Sequence, residues 1–261
     1  MWVSLLDWIL GARGPRCDGL PGIPAWELPG PGPVYPSDVS DPCPTGRGLW
    51  LRRRAGVRVA SRAMSVGSER HLEALGIWRA AISGGVEGLL EVVRRGVSSV
   101  GGLWAASSAL RWLRAGGVPP AAVEPWVEGW AGYAGGRPDI LLGVYPVELA
   151  DTEAGSPYWE RKRVALAAYA LMIEASLGSM VGLGYLVSLR DGSVERVCID
   201  DELRGRAVRE AERLAPALEA DPGLPAGGPG ECPATCPFRE ICWGAPRVDS
   251  ERGEARVGAE A

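Results

Sequence analysis

The chain has 261 residues, close to half of them apolar and about a quarter charged, with a net charge of −4. Its length allows one sizeable core. Six cysteines in so long a chain exclude a small disulfide-stapled secreted scaffold. The charge balance excludes a global pull towards nucleic acid, so any DNA contact has to be a local patch. Nearly every basic residue is Arg: Lys162 is the only lysine and His71 the only histidine.

The segment Met1 to Gly14 is apolar, but it has no basic lead and carries Asp7, which argues against a signal peptide. Residues 13–47 are crowded with Pro and Gly and read as irregular, with a short helix near Asp38. A basic stretch follows, Leu49-Trp50-Leu51-Arg52-Arg53-Arg54 and then Arg58 and Arg62. Ser68 is placed to cap a helix carrying His71, Leu72, Leu75 and Trp78. Further helices are expected over 84–95, 101–115 and 120–133, divided by Gly-Gly and Pro-Pro breaks. Trp78, Trp104 and Trp112 fall at apolar helical positions and read as packing.

Ile140–Tyr145 and Val147–Ala150 read as short strands with Pro146 between them. Val164–Leu189 is apolar with Glu174 as its only charge. Its length admits a membrane span, but it divides into a helix over 160–177, a Gly-Ser turn and a strand over 180–189. A strand over 194–199 follows an Asp191-Gly192 turn, and a charged helix is expected over 200–220. Residues 247–261 read as a disordered tail. This order predicts an α/β fold: one domain over 1–246 with a mixed sheet and an all-helical insert at 84–133, in the cytoplasm and away from membranes.

Cys232-Pro233-Ala234-Thr235-Cys236 and, after Pro237, Cys242 set three thiols at a metal-ligand spacing in the segment 232–243. Cys43, in Asp-Pro-Cys-Pro-Thr, shares the Cys-Pro context and supplies a fourth. Cys17 and Cys198 do not share it, and Cys198 reads as a small buried hydrophobe on its strand. One thiol far upstream of three clustered ones suits an iron–sulfur cubane (4Fe-4S) that staples the chain ends. Zinc is the rival, although its structural sites favour paired knuckles, and a redox role is a further alternative.

Asp139 opens one central strand and Glu148 lies on the next, so the two carboxylates can converge on Mg²⁺ or Mn²⁺. Ordinary strand-end carboxylates are the alternative.

Taken together, Val39-Ser40-Asp41-Pro42-Cys43-Pro44-Thr45, Leu49-Trp50-Leu51-Arg52, Gly67-Ser68-Glu69-Arg70-His71, Pro138-Asp139, Val147-Glu148, Leu166-Ala167-Ala168-Tyr169-Ala170-Leu171 and the cysteine segment fall in a familiar order. The chain resembles the RecB-like PD-(D/E)XK nucleases, and more narrowly the CRISPR-associated protein four family in its archaeal Csa-one branch. The resemblance implies a PD-(D/E)XK core and a metal held by His71, Asp139, Glu148 and the carbonyl of Leu149. It also implies exonuclease or end-processing activity during spacer acquisition. The implied partners are single-stranded or overhanging DNA and the CRISPR integrase subunits.

Two positions depart from the family pattern. Glu148-Leu149-Ala150 lacks the lysine of Glu-x-Lys, and Ala165 replaces the glutamine of Gln-x-x-x-Tyr, although Tyr169 is kept. Lys162 lies seven residues before Tyr169, on the same face of one helix. It can replace the missing lysine as a catalytic residue, or Glu160-Arg161-Lys162-Arg163 can be a solvated helix start. Arg52, Arg53, Arg54 and Arg58 are candidate phosphate contacts, or a solvated face. Trp50 could stack on a base, but its apolar neighbours favour a core position. The alternative to an active nuclease is a catalytically silent DNA-binding or scaffold subunit. A zinc-stapled or redox-sensing protein without nuclease ancestry is a third reading.

Overall fold

The structure, a computed structural model, describes residues 2–14, 17, 22–59, 62–233 and 236–244. The expected tail over 247–261 lies outside them. In chain order the elements are α1 (Trp2–Leu10), α2 (Arg47–Arg53), α3 (Arg62–Arg95), α4 (Val100–Arg114), β1 (Ala121–Val123), β2 (Val127–Glu128), β3 (Gly135–Gly136), β4 (Ile140–Leu142) and β5 (Tyr145–Ala150), followed by α5 (Pro157–Leu177), β6 (Leu183–Ser188), β7 (Val194–Cys198), α6 (Asp201–Leu214) and α7 (Arg239–Trp243). They gather into two compact units. One holds Met1–Ser40 and Val66–Ala211, the other Asp41–Ser65 and Glu212–Ala261.

The larger unit is built on a mixed five-stranded sheet of order β1-β4-β5-β6-β7, in which only β5 and β6 run parallel. Parallel neighbours need a crossover, and α5 supplies it. Ser156 caps this helix by accepting the Trp159 N–H at 3.2 Å, Pro157 fills the first turn, and Gly178 ends it. β4 and β5 form a hairpin in which Leu142 faces Tyr145 across Gly143 and Val144. Gly143 has φ 64°, the left-handed turn conformation that suits glycine. Pro146 therefore lies inside β5, opposite Leu141, rather than between two strands as expected.

Side chains alternate along a strand. Val147 and Leu149 of β5 join a core with Leu6 and Ile9 of α1, Leu75 and Trp78 of α3, and Ala105 and Ala109 of α4. Glu148 and Ala150 consequently face the opposite side, where α5 packs. Trp78, Trp104 and Trp112 are all buried, as their spacing predicts.

Several expectations are corrected. Residues 120–133 are not helical: Pro125 would interrupt a helix, and Ala121–Val123 instead pairs with β4 as an edge strand. Ser68 is interior to α3, which starts at Arg62 and runs to Arg95 with a bend at Gly85 (φ 60°), so the helix expected over 84–95 is not a separate one. The helix from Asp201 stops at Leu214 and tightens into a 3₁₀ turn over Ala215–Leu218, which contains Pro216. Cys198 is not a lone buried hydrophobe but forms a disulfide with Cys17. The apolar run Val164–Leu189 divides into α5 and β6, and no helix among the described residues is long and apolar enough to cross a membrane.

The charges inside the apolar stretches have partners. Asp7 pairs with Arg196 at 2.7 Å and accepts the Tyr185 hydroxyl at 3.2 Å. Glu174, fully buried, pairs with Arg204 and accepts the N–H groups of Ala25 and Val181. A buried carboxylate persists only with such compensation.

The smaller unit has a much slighter core, in which Leu51, Cys236 and Phe238 cluster with Trp50, Val57, Val59 and Cys242 packed against them. Trp50 is thus half-buried packing, as its neighbours suggested. Polar straps join the two segments of this unit. Arg213 donates to the Pro44 carbonyl at 3.0 Å, Thr45 to the Gly223 carbonyl at 3.2 Å, and Arg47 pairs with Asp221 at 3.1 Å.

Candidate active site

Asp139 sits just before β4, and Glu148 lies in β5 on the face turned to α5. Both are buried. The Leu149 N–H donates to Asp139 Oδ2 at 2.7 Å, and the Asp139 N–H donates to Glu148 Oε1 at 3.4 Å. The two carboxyl groups are therefore fixed through the backbone of each other's strand. From α3, His71 Nε2 lies 3.1 Å from Asp139 Oδ1. From α5, Lys162 Nζ lies 3.0 Å from Glu148 Oε2, with its side chain 15% exposed. Tyr169, two turns further along α5, is buried in the field of Glu148, Asp139 and Lys162. The fold thus brings together His71, Asp139, Glu148, Leu149, Lys162 and Tyr169, from four separate stretches of sequence.

The electrostatics follow from this crowding. Burial, and then the charge of Asp139, push the Glu148 carboxyl up to about 7, against the pull of Lys162 and His71. Burial opposes charge on His71, yet its hydrogen bond to Asp139 and the charge there leave it above the ordinary imidazole value. Burial likewise opposes charge on Lys162, but Glu148 beside it holds the ammonium well above its usual value. For Tyr169, burial and then the two carboxylates raise the phenol.

Two buried carboxylates fixed side by side, with an imidazole nitrogen alongside, form an oxygen-rich donor set suited to a hard divalent cation. Among the described residues, no three His, Cys, Asp or Glu side chains are already drawn into a cage that could hold a metal ion. His71 Nε2 and Lys162 Nζ lie against the two carboxylates.

A family model described as CRISPR-associated exonuclease Csa1 matches residues 105–245, more than half of the chain. The chain belongs to this family. No curated protein matches it. The Csa1 match spans Asp139, Glu148, Lys162, Tyr169 and three of the four clustered cysteines, while His71 and Cys43 lie before it.

The cysteines and the basic segment belong to the smaller unit. Cys43, Cys232, Cys236 and Cys242 are free thiols, the first three buried. Burial pushes the Cys236 thiol up to about 11, with Cys43, Asp41 and Cys232 adding to the shift and the Phe238 backbone opposing it. Cys242 is raised by burial and by Cys43, Cys232 and Asp221, against Arg47. Cys236 and Cys242 thus each lie within the field of Cys43 and Cys232, with the Asp41 and Asp221 carboxylates also near. Arg52, Arg53, Arg54 and Arg58 are exposed, and Arg52 pairs with Asp41 at 3.4 Å.

One polar group at the carboxyl end of β5 had no signal in the sequence. Asp151 pairs with Arg70 of α3 at 2.8 Å and lies 3.9 Å from Arg190, which follows β6. Only the position of Arg70 beside His71 could have drawn attention to it.

Proposed function

We propose that the chain is a divalent-metal-dependent DNA exonuclease or end-processing enzyme with PD-(D/E)XK chemistry. In this reading it belongs to the archaeal branch of the CRISPR-associated protein four family and acts in spacer acquisition in the cytoplasm, beside the integrase subunits. The observation that carries this is Lys162 Nζ at 3.0 Å from Glu148 Oε2. The one lysine of the chain reaches the carboxylate that the family's lysine would accompany, from α5 rather than from β5.

His71, Asp139, Glu148 and the Leu149 carbonyl would hold Mg²⁺ or Mn²⁺, which would lower the pKa of a bound water and offset charge at the scissile phosphate. Lys162 supplies a buried positive charge that orients the attacked phosphate and is itself positioned by Glu148. Tyr169 walls the site on the α5 side. Cys43, Cys232, Cys236 and Cys242 would hold a 4Fe-4S cluster as a structural staple, and Arg52, Arg53, Arg54 and Arg58 would contact DNA phosphates.

The test is cleavage of end-labelled single- and double-stranded DNA by anaerobically purified protein with Mn²⁺ or Mg²⁺, beside Glu148→Gln. The reading expects metal-dependent shortening that the variant abolishes. Equal cleavage by the variant, or none by the wild type, counts against it.

A second reading, a catalytically silent DNA-binding scaffold, is favoured by Ala150 and Ala165. Both are nearly fully buried, so neither family position offers a polar group. DNA binding without cleavage, by protein with iron bound, would establish it.

A further inference from the structure

Asp151 extends the odd-numbered series Val147, Leu149 beyond the end of β5, and so points to the α3 side of the sheet. There Gly67 leaves it room: a Cβ at that position would stand 3.0 Å from Asp151 Oδ2. One helical turn on, Arg70 donates to Asp151 Oδ1 at 2.8 Å, and the next residue is His71, in contact with Asp139. From the turn that follows β6, Arg190 brings a second guanidinium to 3.9 Å from the same Oδ1. The two arginine side chains are 35% and 39% exposed, whereas Asp151 is 17% exposed. Two half-exposed guanidinium groups thus converge on one carboxylate oxygen at the carboxyl ends of the two parallel strands, next to the candidate metal ligands.

A carboxylate shared by two arginines has the charge and the acceptor geometry of a phosphodiester oxygen. For a merely structural ion pair, one arginine would serve, and half-exposed pairs contribute little to stability. Arg70 also lines a cleft of about 160 Å³ with Val66, Glu69, Glu73, Ser98 and Ser99. The Glu73 carboxylate is committed there to the Ser98 and Ser99 N–H and hydroxyl groups.

We propose that Arg70 and Arg190 form a backbone-phosphate clamp for a nucleic-acid strand entering the active site, with Asp151 as the internal anion that holds the pair ready and gives way to the phosphate. The clamp rests on the nuclease reading above and adds to it the residues that grip the strand. Asp151 is a competitor for the phosphate, so its removal has a sign that a structural role cannot mimic.

The experiment is equilibrium binding of a fluorescein-labelled single-stranded oligonucleotide in EDTA, across a salt series, with thermal melting of every variant. Arg70→Gln/Arg190→Gln is expected to bind at least about fivefold more weakly, with a log–log salt slope smaller by about 1–2. Asp151→Asn, nearly isosteric, is expected to bind more tightly than wild type. Asp151→Asn binding equally or more weakly overturns the clamp, as does a double variant that binds like wild type. Should Arg70→Gln unfold, Arg190→Gln and Asp151→Asn carry the test alone, each judged against its own melting curve. Wild-type protein that binds no oligonucleotide overturns the nuclease reading and the clamp together. Wild type that binds and cleaves, beside variants with unchanged affinity, overturns the clamp only.

Discussion

The two units of this chain hold themselves together by different means. The larger one buries three helices against a sheet whose central strands are covered on both faces, and even its buried charges, Glu174 with Arg204, are paired. The smaller one has an apolar cluster of Leu51, Cys236 and Phe238 with a few neighbours, a set of polar side-chain straps, and four free thiols. So small a core rarely suffices on its own. The contrast shows where the proposed iron–sulfur staple would count: the cysteines stand in the unit with little hydrophobic burial, and the candidate carboxylates stand in the unit with the large core.

The sharpest way to break this comparison is Cys43→Ala. Iron content and visible absorption should vanish, and limited proteolysis should open the segments after Glu212, while the larger unit keeps its far-ultraviolet dichroism. Loss of both units at once would contradict the division. Next in size is Arg204→Met, which leaves Glu174 buried without its cation. It should destabilise the larger unit by about 3–5 kcal/mol in denaturant melts, with iron retained at low denaturant.

The fold was legible in the sequence wherever periodicity and turn chemistry spoke together: the helix before Gly178 and the strands around Asp191-Gly192. It failed where a short edge strand took its order from a neighbour, as Ala121–Val123 does from β4. The Cys17–Cys198 disulfide joins residues 181 apart in sequence, a distance no local pattern can signal. At the site, Asp139 and Glu148 could be paired from their places on neighbouring strands, whereas the role of His71 was implied only by the family resemblance. That Lys162 reaches Glu148 could be framed as helical geometry but not decided, because the angle of α5 over the sheet is a tertiary fact. Asp151 and Arg190 had no local signature at all.

A smaller effect concerns pH. Glu148 in the folded protein holds its proton up to about 7, whereas the unfolded chain releases it at the ordinary value of 4.5. Between those values the folded state binds more protons, so this group's contribution to stability is present at pH 4.5 and lost as pH rises to 7. Glu148→Gln carries no such titration. Measured in EDTA, its melting temperature relative to wild type should be higher at pH 7.5 than at pH 5, and an offset equal at both would count against the burial of this carboxylate.

The proposed role of Lys162, acting from α5 where the family pattern has a lysine on β5, is tested most directly by the rate of metal-dependent cleavage by Lys162→Ala and by Ala150→Lys/Lys162→Ala. Ala150 lies on the same face of β5 as Glu148, so a lysine there would extend into the space that Lys162 leaves. The account predicts that Lys162→Ala slows cleavage about 10²–10³-fold with oligonucleotide binding retained, and that the double variant recovers a measurable part of that loss. Lys162→Ala cleaving at the wild-type rate would contradict it.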